Sequence, residues 1–108
     1  MRTALFALLV LAAIPAFASA GGPTAAVDVN ATGFTDAGTG TPITLVAPGT
    51  TVTWTVSSGI HTVSAVDGSF ASDNLGVGES FSHTFDAQGV VPYRCAIHAS
   101  MIAAVLVV

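Results

Sequence analysis

The sequence predicts an all-β Greek-key sandwich of about seven or eight short strands. Apolar and polar residues alternate with a period of two in several short runs, which is typical of strands buried on one face. Turn-forming Gly, Pro and Asp residues separate these runs at short intervals. The segment after residue 20 is also rich in Val, Thr, Ala, Ser and Gly, which favour strands and turns over helices.

The first 20 residues are expected to be a signal peptide rather than part of this fold. Arg2 gives a positively charged start, residues 4–14 are wholly apolar, and Ala18-Ser19-Ala20 has the form of a signal-peptidase site. The apolar run is shorter than the roughly 20 residues that span a bilayer. It also has no polar face, which disfavours a buried N-terminal helix. We therefore expect export to the periplasm or the extracellular space, with no stable membrane anchor.

Residues 21–108 then have room for one small domain. The formal net charge of the whole chain is −4, and the loss of Arg2 with the signal peptide makes it −5. Arg94 is the only Lys or Arg that remains. Because nucleic-acid binding needs clustered cations to contact phosphates, the composition argues against it.

The predicted strands follow the alternating runs in chain order. They lie at about residues 27–30, 43–46, 51–56, 81–85, 91–95 and 102–108. In the run around Trp54, Val52 and Val56 share its face. Residues 102–108 are apolar on both faces, as expected of a strand inside the domain. The Gly/Thr/Asp-rich segment 32–41 has no predicted place in the sandwich.

His83 alternates with Phe81 and Phe85, so the pattern places its side chain towards the interior. We interpret it as a hydrogen-bonded core histidine and not as a metal ligand.

Cys95 is the only cysteine of the chain. Cysteines of exported proteins usually pair in disulfides, so a lone one requires an explanation. It can form an intermolecular bridge, act as a reactive thiol or bind a metal.

Cys95 begins a cluster of potential metal ligands at three-residue steps. His98 and Met101 follow it in the link between two predicted strands, and His61 lies just after the Trp54 strand. Two imidazoles, a thiolate and a weak axial thioether are the donors of an electron-transfer copper site, whereas zinc prefers four good donors. The pattern predicts one copper ion that cycles between Cu(I) and Cu(II).

Each of these residues also has a simpler interpretation. Cys95 alone could be an inert buried thiol, His61 a surface loop residue and Met101 a core residue. A nucleophilic Cys–His pair would need a cleft and a third, orienting group, and no Asn or Asp follows Cys95. The combined spacing therefore favours a metal site, and we expect no enzymatic activity.

The same residues resemble those of the cupredoxins, the small blue copper proteins, and within them the plastocyanin/amicyanin type. The resemblance extends from about Val27 to Val108. It rests on Trp54, His61-Thr62-Val63, Gly78-Glu79-Ser80-Phe81, Phe85, Gly89, Tyr93-x-Cys95, Cys95-x-x-His98-x-x-Met101 and the final Val-rich strand. The two-residue gap between His98 and Met101 is most similar to that of amicyanin. The resemblance implies that His61, Cys95, His98 and Met101 bind one copper ion in a small soluble electron-transfer protein.

Four residues depart from the family pattern: Val56, Thr62, Ile97 and Ala103. The family often has Asn in place of Thr62, where its backbone N–H reaches the ligand sulfur and its side chain ties the two ligand loops together. We expect Thr62 to keep the first contact and to tie the loops less well.

The resemblance also implies redox protein partners, such as a c-type cytochrome, a dehydrogenase or an oxidase, that dock near His98. We expect a monomer. The alternative function is a periplasmic copper buffer or delivery protein that uses the same site. An adhesion module with a vestigial site is disfavoured, because none of the four ligands is missing.

Overall fold

The computed structural model describes residues 22–108, which form eight strands in two four-stranded sheets. The strands are β1 (Thr24–Asn30), β2 (Gly33–Asp36), β3 (Ile43–Val46), β4 (Thr50–Val56), β5 (Ser64–Ala65), β6 (Ser80–Phe85), β7 (Gly89–Arg94) and β8 (Ile102–Val107). This confirms the predicted all-β sandwich. In the described range there is no helix long and apolar enough to cross a membrane. The predicted signal peptide, residues 1–20, lies outside the described residues.

The chain crosses repeatedly between the two sheets. The first sheet has the order β2-β1-β4-β6 and the second the order β3-β8-β7-β5. Strand β1 is parallel to β4, and β3 is parallel to β8, whereas the other neighbours are antiparallel. Parallel neighbours cannot be joined by a hairpin, so each such pair requires a connection through the opposite sheet.

The core lies between the sheets and is centred on Trp54. The side chains of Val52, Trp54 and Val56 are all buried, which confirms the alternation predicted for β4. The Trp54 ring packs against Tyr93 from the other sheet, with ring centroids 5.3 Å apart. Burial raises the pKa of Tyr93 to about 12. The nearby Trp54 indole N–H partly opposes this shift, although it does not meet hydrogen-bond geometry with the phenol oxygen.

His83 lies in β6, the edge strand of the first sheet, and its side chain points towards the core. Its ring stacks on Phe70 at 4.6 Å and packs edge-on against Phe85 at 4.8 Å. The side chain is half-buried, and within residues 22–108 no hydrogen bond to it is found. The predicted inward direction is therefore confirmed, but aromatic packing and not hydrogen bonding holds the ring.

Strand β8 lies in the middle of its sheet, but it is not covered on both faces. Val105 is fully buried, whereas Ile102 is 66% exposed and Val108 is 62% exposed. The prediction of a strand buried on both sides is wrong, because the outer face of this sheet has no layer over it among the described residues.

The segment 32–41, unplaced by the sequence, contains β2 and a turn built on the buried Asp36 carboxylate. Asp36 Oδ2 accepts hydrogen bonds from the backbone N–H groups of Gly38 and Thr39 at 2.9 and 2.8 Å. Its Oδ1 accepts one from the Thr44 hydroxyl at 2.8 Å. The carboxylate therefore joins β2 of one sheet to β3 of the other.

Candidate metal centre

Three of the predicted ligands converge at one end of the sandwich. His61 lies between β4 and β5, Cys95 directly follows β7, and His98 lies in the turn that leads to β8. One ligand atom from each lies within 4.8 Å of the other two. His83 is not a member of this group. Although β4 and β7 belong to different sheets, the loops that follow them meet here, because Thr62 contacts both Cys95 Sγ and the Ala96 N–H.

The His61 ring is held in one orientation and one tautomer. Its Nε2 lies 2.8 Å from the carbonyl oxygen of Ser58. Since a carbonyl can only accept a hydrogen bond, Nε2 carries the proton, and Nδ1 of the neutral ring keeps its lone pair.

Nδ1 of His61 is buried and has no hydrogen-bond partner within residues 22–108. A buried polar atom without a partner is costly, whereas a metal-ligating His almost always fixes its other nitrogen to a backbone or carboxylate oxygen. His61 therefore has the arrangement of a metal ligand that binds through Nδ1. This residue fits a copper ion in the centre.

The Cys95 sulfur is also prepared as a ligand. The side chain is 1% exposed, and Sγ accepts a hydrogen bond from the backbone N–H of Thr62 at 3.4 Å. Nδ1 of His98 lies 3.4 Å from the same sulfur. A thiolate and two imidazoles are the equatorial donors of a blue copper site.

Thr62 connects the two loops that carry the ligands. Besides its N–H contact with Cys95 Sγ, its side-chain Oγ1 accepts a hydrogen bond from the backbone N–H of Ala96 at 2.7 Å. Oγ1 also lies 3.0 Å from the hydroxyl oxygen of Ser64. The Thr62 hydroxyl oxygen therefore connects directly to the backbone of the Cys95 loop, whereas the expectation that Thr ties the loops less well than Asn stays a prediction.

Two backbone hydrogen bonds close the loop between Cys95 and Met101. The N–H of Cys95 donates to the Met101 carbonyl at 3.0 Å, and the N–H of Met101 donates to the His98 carbonyl at 2.9 Å. Met101 is buried and lies directly before β8. Its assignment as the axial ligand stays a prediction from the sequence.

The centre is exposed on one side only. His61 and Cys95 are buried, whereas the side chain of His98 is exposed. Exposed apolar residues lie at the same end of the sandwich. They are Ile60, which is 57% exposed, Val77, which is 67% exposed, and Ile97, which is 49% exposed. His98 is thus the ligand that an approaching molecule can reach.

The roles of Ser58 and Gly59 in positioning the His61 ring were not predicted from the sequence. Gly59 has a φ of +81°, and a Cβ atom at this position would lie 2.8 Å from His61 Nε2. The glycine next to Ser58 is visible in the sequence as a turn signal. Its contact with the ring and the Ser58 carbonyl acceptor depend on three-dimensional packing, which no local pattern shows.

Solved structures similar to this one include a cupredoxin and several amicyanin variants. The match to the purple cupredoxin of Nitrosopumilus maritimus has a TM-score of 0.67 and 27% sequence identity, covering 78% of this chain and 99% of that chain. An oxidised variant of amicyanin matches with a TM-score of 0.67 and 26% identity over 77% of this chain and 80% of that chain. Another amicyanin variant, in its reduced Cu(I) form, is 28% identical with a TM-score of 0.64, and the match covers 83% of this chain and 86% of that chain.

A copper-containing nitrite reductase from Thermus scotoductus shares the fold alone. It is 24% identical with a TM-score of 0.67, and the match covers 90% of this chain but 25% of the enzyme's chain. No protein-family profile matches the chain, and a search of curated protein sequences gives no match either.

The fold is similar to that of the cupredoxins, and the ligand group has the composition of a blue copper site. His61, Cys95 and His98 form a candidate ligand group that fits a single copper ion. The structure thus agrees with the resemblance found in the sequence.

Proposed function

We propose that this protein is a small electron carrier in which His61, Cys95, His98 and Met101 bind one copper ion. The observation that carries the proposal is the buried His61 Nδ1, which has no hydrogen-bond partner within residues 22–108 and lies beside Cys95 Sγ and His98. The ion supplies one-electron chemistry, as Cu(I) and Cu(II) interconvert without making or breaking a bond to a substrate. The protein is accordingly not an enzyme in its own right.

The contacts around the ligands suit this function. The Ser58 carbonyl fixes the His61 ring, the Thr62 N–H contacts the thiolate, and Thr62 Oγ1 connects the loops. Hydrogen bonds of this kind hold ligands in place when the charge of the centre changes. A centre that rearranges little can exchange electrons quickly.

The proposed axial role of Met101 has its own test. Met101→Leu should keep the copper and raise the reduction potential, because the lost thioether stabilised Cu(II) more than Cu(I). Met101→Gln should lower the potential, because an amide oxygen is a harder donor. If voltammetry shows both variants at the wild-type potential, Met101 only packs the core.

We further propose that redox proteins dock on the apolar surface around His98. Ile97→Asp should leave the copper spectrum nearly unchanged but slow electron self-exchange, because two charged, hydrated surfaces would then have to meet. Thr84→Asp is the matched control, since it adds the same charge to an exposed position of β6 next to Thr51, at the opposite end of β4 from His61. Equal self-exchange rates in wild type and Ile97→Asp would contradict this docking surface.

A copper buffer or delivery protein is the second candidate, and the exposure of His98 is the observation that favours it. A ligand that solvent reaches can also be exchanged for a donor on an acceptor protein. An electron carrier should retain Cu(I) in the presence of a mild chelator through repeated redox cycles. Ready loss of Cu(I) with an unchanged fold would support the buffer instead.

We propose that the mature chain is residues 21–108 and that it acts outside the cytoplasm. The lone Cys95 as a metal ligand, not a disulfide partner, is compatible with an oxidising compartment. Intact-mass measurement on the exported fraction of producing cells should show the loss of residues 1–20. Full-length protein confined to the cytoplasmic fraction would contradict the proposal.

A further inference from the structure

The outer face of the second sheet is apolar across three strands. The register places Ile43, Ala104 and Pro92 in one row and Leu45, Leu106 and Val90 in the next. Leu45 is 61% exposed and Val90 68% exposed. Arg94 is the only charged residue in β3, β7 and β8.

The first sheet shows that this is not a general property of the fold. Its outer face carries three cross-strand hydroxyl pairs, Thr51–Thr84, Thr53–Ser82 and Thr55–Ser80, with oxygen–oxygen distances of 2.7, 2.8 and 2.8 Å. Water solvates such a face well. Soluble monomers rarely expose a contiguous apolar patch larger than a few hundred Å², and such patches usually mark an interaction surface.

We propose that the outer face of β3, β8 and β7 binds a second copy of this chain in a two-fold symmetric dimer. The proposal replaces the expectation of a monomer and is independent of the copper centre.

The shape of the face supports a second copy as the occupant. The half of the face near the metal centre contains a cavity of about 390 Å³, lined mainly by apolar residues that include Ile43, Val66, Pro92 and Ile102. The other half carries Leu45 and Val90, whose side chains are exposed, and the half-buried Leu106 between them. A two-fold axis between the halves places these side chains of one copy over the cavity of the other. A surface that complements itself in this way is what an isologous dimer requires.

The charges support the same arrangement. Arg94 lies at the metal-centre end of the face, beside Ile102. Asp86 lies in the loop between β6 and β7, at the opposite end of β7. The two-fold axis therefore brings Arg94 of each copy towards Asp86 of the other.

A lipid bilayer fits the face less well than a second copy does. Residues 21–108 carry a formal charge of −5, with Arg94 as the only Lys or Arg. Surface binding to membranes usually depends on several basic residues that meet anionic headgroups.

The size of the face indicates a reversible dimer. Three strands about 4.8 Å apart and up to about six residues long make a face of roughly 300 Å² in projection, at about 3.4 Å per residue. A stable interface takes about 800 Å² of accessible surface from each partner. The dimer should therefore dissociate on dilution. It leaves His98 free, because His98 lies in the loop between β7 and β8 and not on the strands that form the face.

Sedimentation velocity of the mature protein at a series of concentrations tests the proposal. The mean mass should rise from one chain towards two with concentration.

Leu45→Lys should weaken dimerisation at least tenfold, because it places a charge in the apolar contact. Ser82→Lys is the matched control, in the exposed edge strand of the hydroxyl-bearing face, and should leave dimerisation unchanged. Val90→Thr, which keeps the side-chain shape and β-propensity, should weaken dimerisation even if Leu45→Lys fails to fold.

Charge exchange tests the two-fold arrangement itself. Arg94→Asp and Asp86→Arg should each weaken the dimer, and the double variant should restore it. A protein that stays monomeric at every concentration would overturn the proposal. So would dimers that Leu45→Lys and Val90→Thr leave intact, or a monomer that binds vesicles of zwitterionic lipid through this face.

Discussion

At His61, the direction of the ligand nitrogen depends on a residue that is not itself a ligand. The Ser58 carbonyl accepts the proton of Nε2, and Gly59 leaves the space in which the ring lies. The positive φ of Gly59 favours glycine in any case, but the close approach of the ring is a second, separate requirement. The two requirements can be separated by substitution.

Gly59→Ala should reduce copper affinity by about tenfold to a hundredfold, since it displaces the ring from its hydrogen bond. Gly40→Ala is the matched control, because Gly40 has a φ of +71° and a Cβ there would meet nothing within 4 Å. Both variants should lose about 1 kcal/mol of stability through backbone strain, but only Gly59→Ala should lose affinity. Competition titration with a Cu(I) chelator measures the difference. Equal affinities in the two variants would contradict the positioning role of Ser58 and Gly59.

Thr62 makes a second testable contact at this scale. Thr62→Val keeps the backbone N–H to Cys95 Sγ but removes the oxygen that accepts from Ala96 N–H. The variant should lose about 1 kcal/mol of unfolding free energy and shift the visible charge-transfer band, because the Cys95 loop is no longer tied. Thr62→Ser should restore both properties. If Thr62→Val has the same band and the same stability as the wild type, the hydroxyl has no such role.

At the scale of the elements, the Asp36 carboxylate organises the connection from β2 to β3. It accepts hydrogen bonds from Gly38, Thr39 and Thr44 within one short segment. Asp36→Ala should lower the unfolding free energy by about 2–4 kcal/mol, because it leaves the buried Thr44 hydroxyl without its partner. Urea unfolding measures the change.

Asp67 provides the control for this prediction. It makes a similar local contact, accepting from the Ser69 N–H at 2.9 Å, but it is exposed. Ser69 holds the pKa of Asp67 below its ordinary value. Asp67→Ala should lower the unfolding free energy far less than Asp36→Ala does, because water replaces the lost contact. Equal losses in the two variants would show that burial of the Asp36 carboxylate is unimportant.

Most strands could be predicted because half-buried strands show their period in the sequence. The run around Trp54 is the clearest case, since buried apolar residues alternate with more exposed threonines over residues 51–56. The segment containing Asp36 could not be placed, because its structure depends on hydrogen bonds between residues in two sheets. The exposed face of β8 was missed because apolar residues look the same in a sequence whether they face a core or a partner.

The ligands of the candidate site could be predicted from the sequence, whereas the contacts that hold them could not. Spacing pointed to Cys95 and His98, and the Trp54 strand pointed to His61. The acceptor at Ser58 and the contact from Thr62 Oγ1 to the Ala96 N–H were not predictable, since they depend on how two loops meet in space.

Over the whole molecule, three surfaces have different chemistry. The first sheet presents hydroxyl pairs to solvent, the second presents apolar side chains, and one end of the sandwich exposes His98 beside apolar residues. The proposed electron exchange at the His98 end and the proposed self-association through the second sheet would therefore use separate parts of the surface. Substitutions in one should leave the other unaffected.

The central claim is that Cys95 binds copper as a thiolate together with His61 and His98. The most direct measurement is the visible absorption spectrum of the Cu(II)-loaded protein beside that of Cys95→Ser. The wild type should bind one copper ion and show an intense thiolate-to-copper charge-transfer band, and Cys95→Ser should lose that band. A wild type with only weak copper absorption, or a strongly coloured Cys95→Ser protein, would contradict the claim.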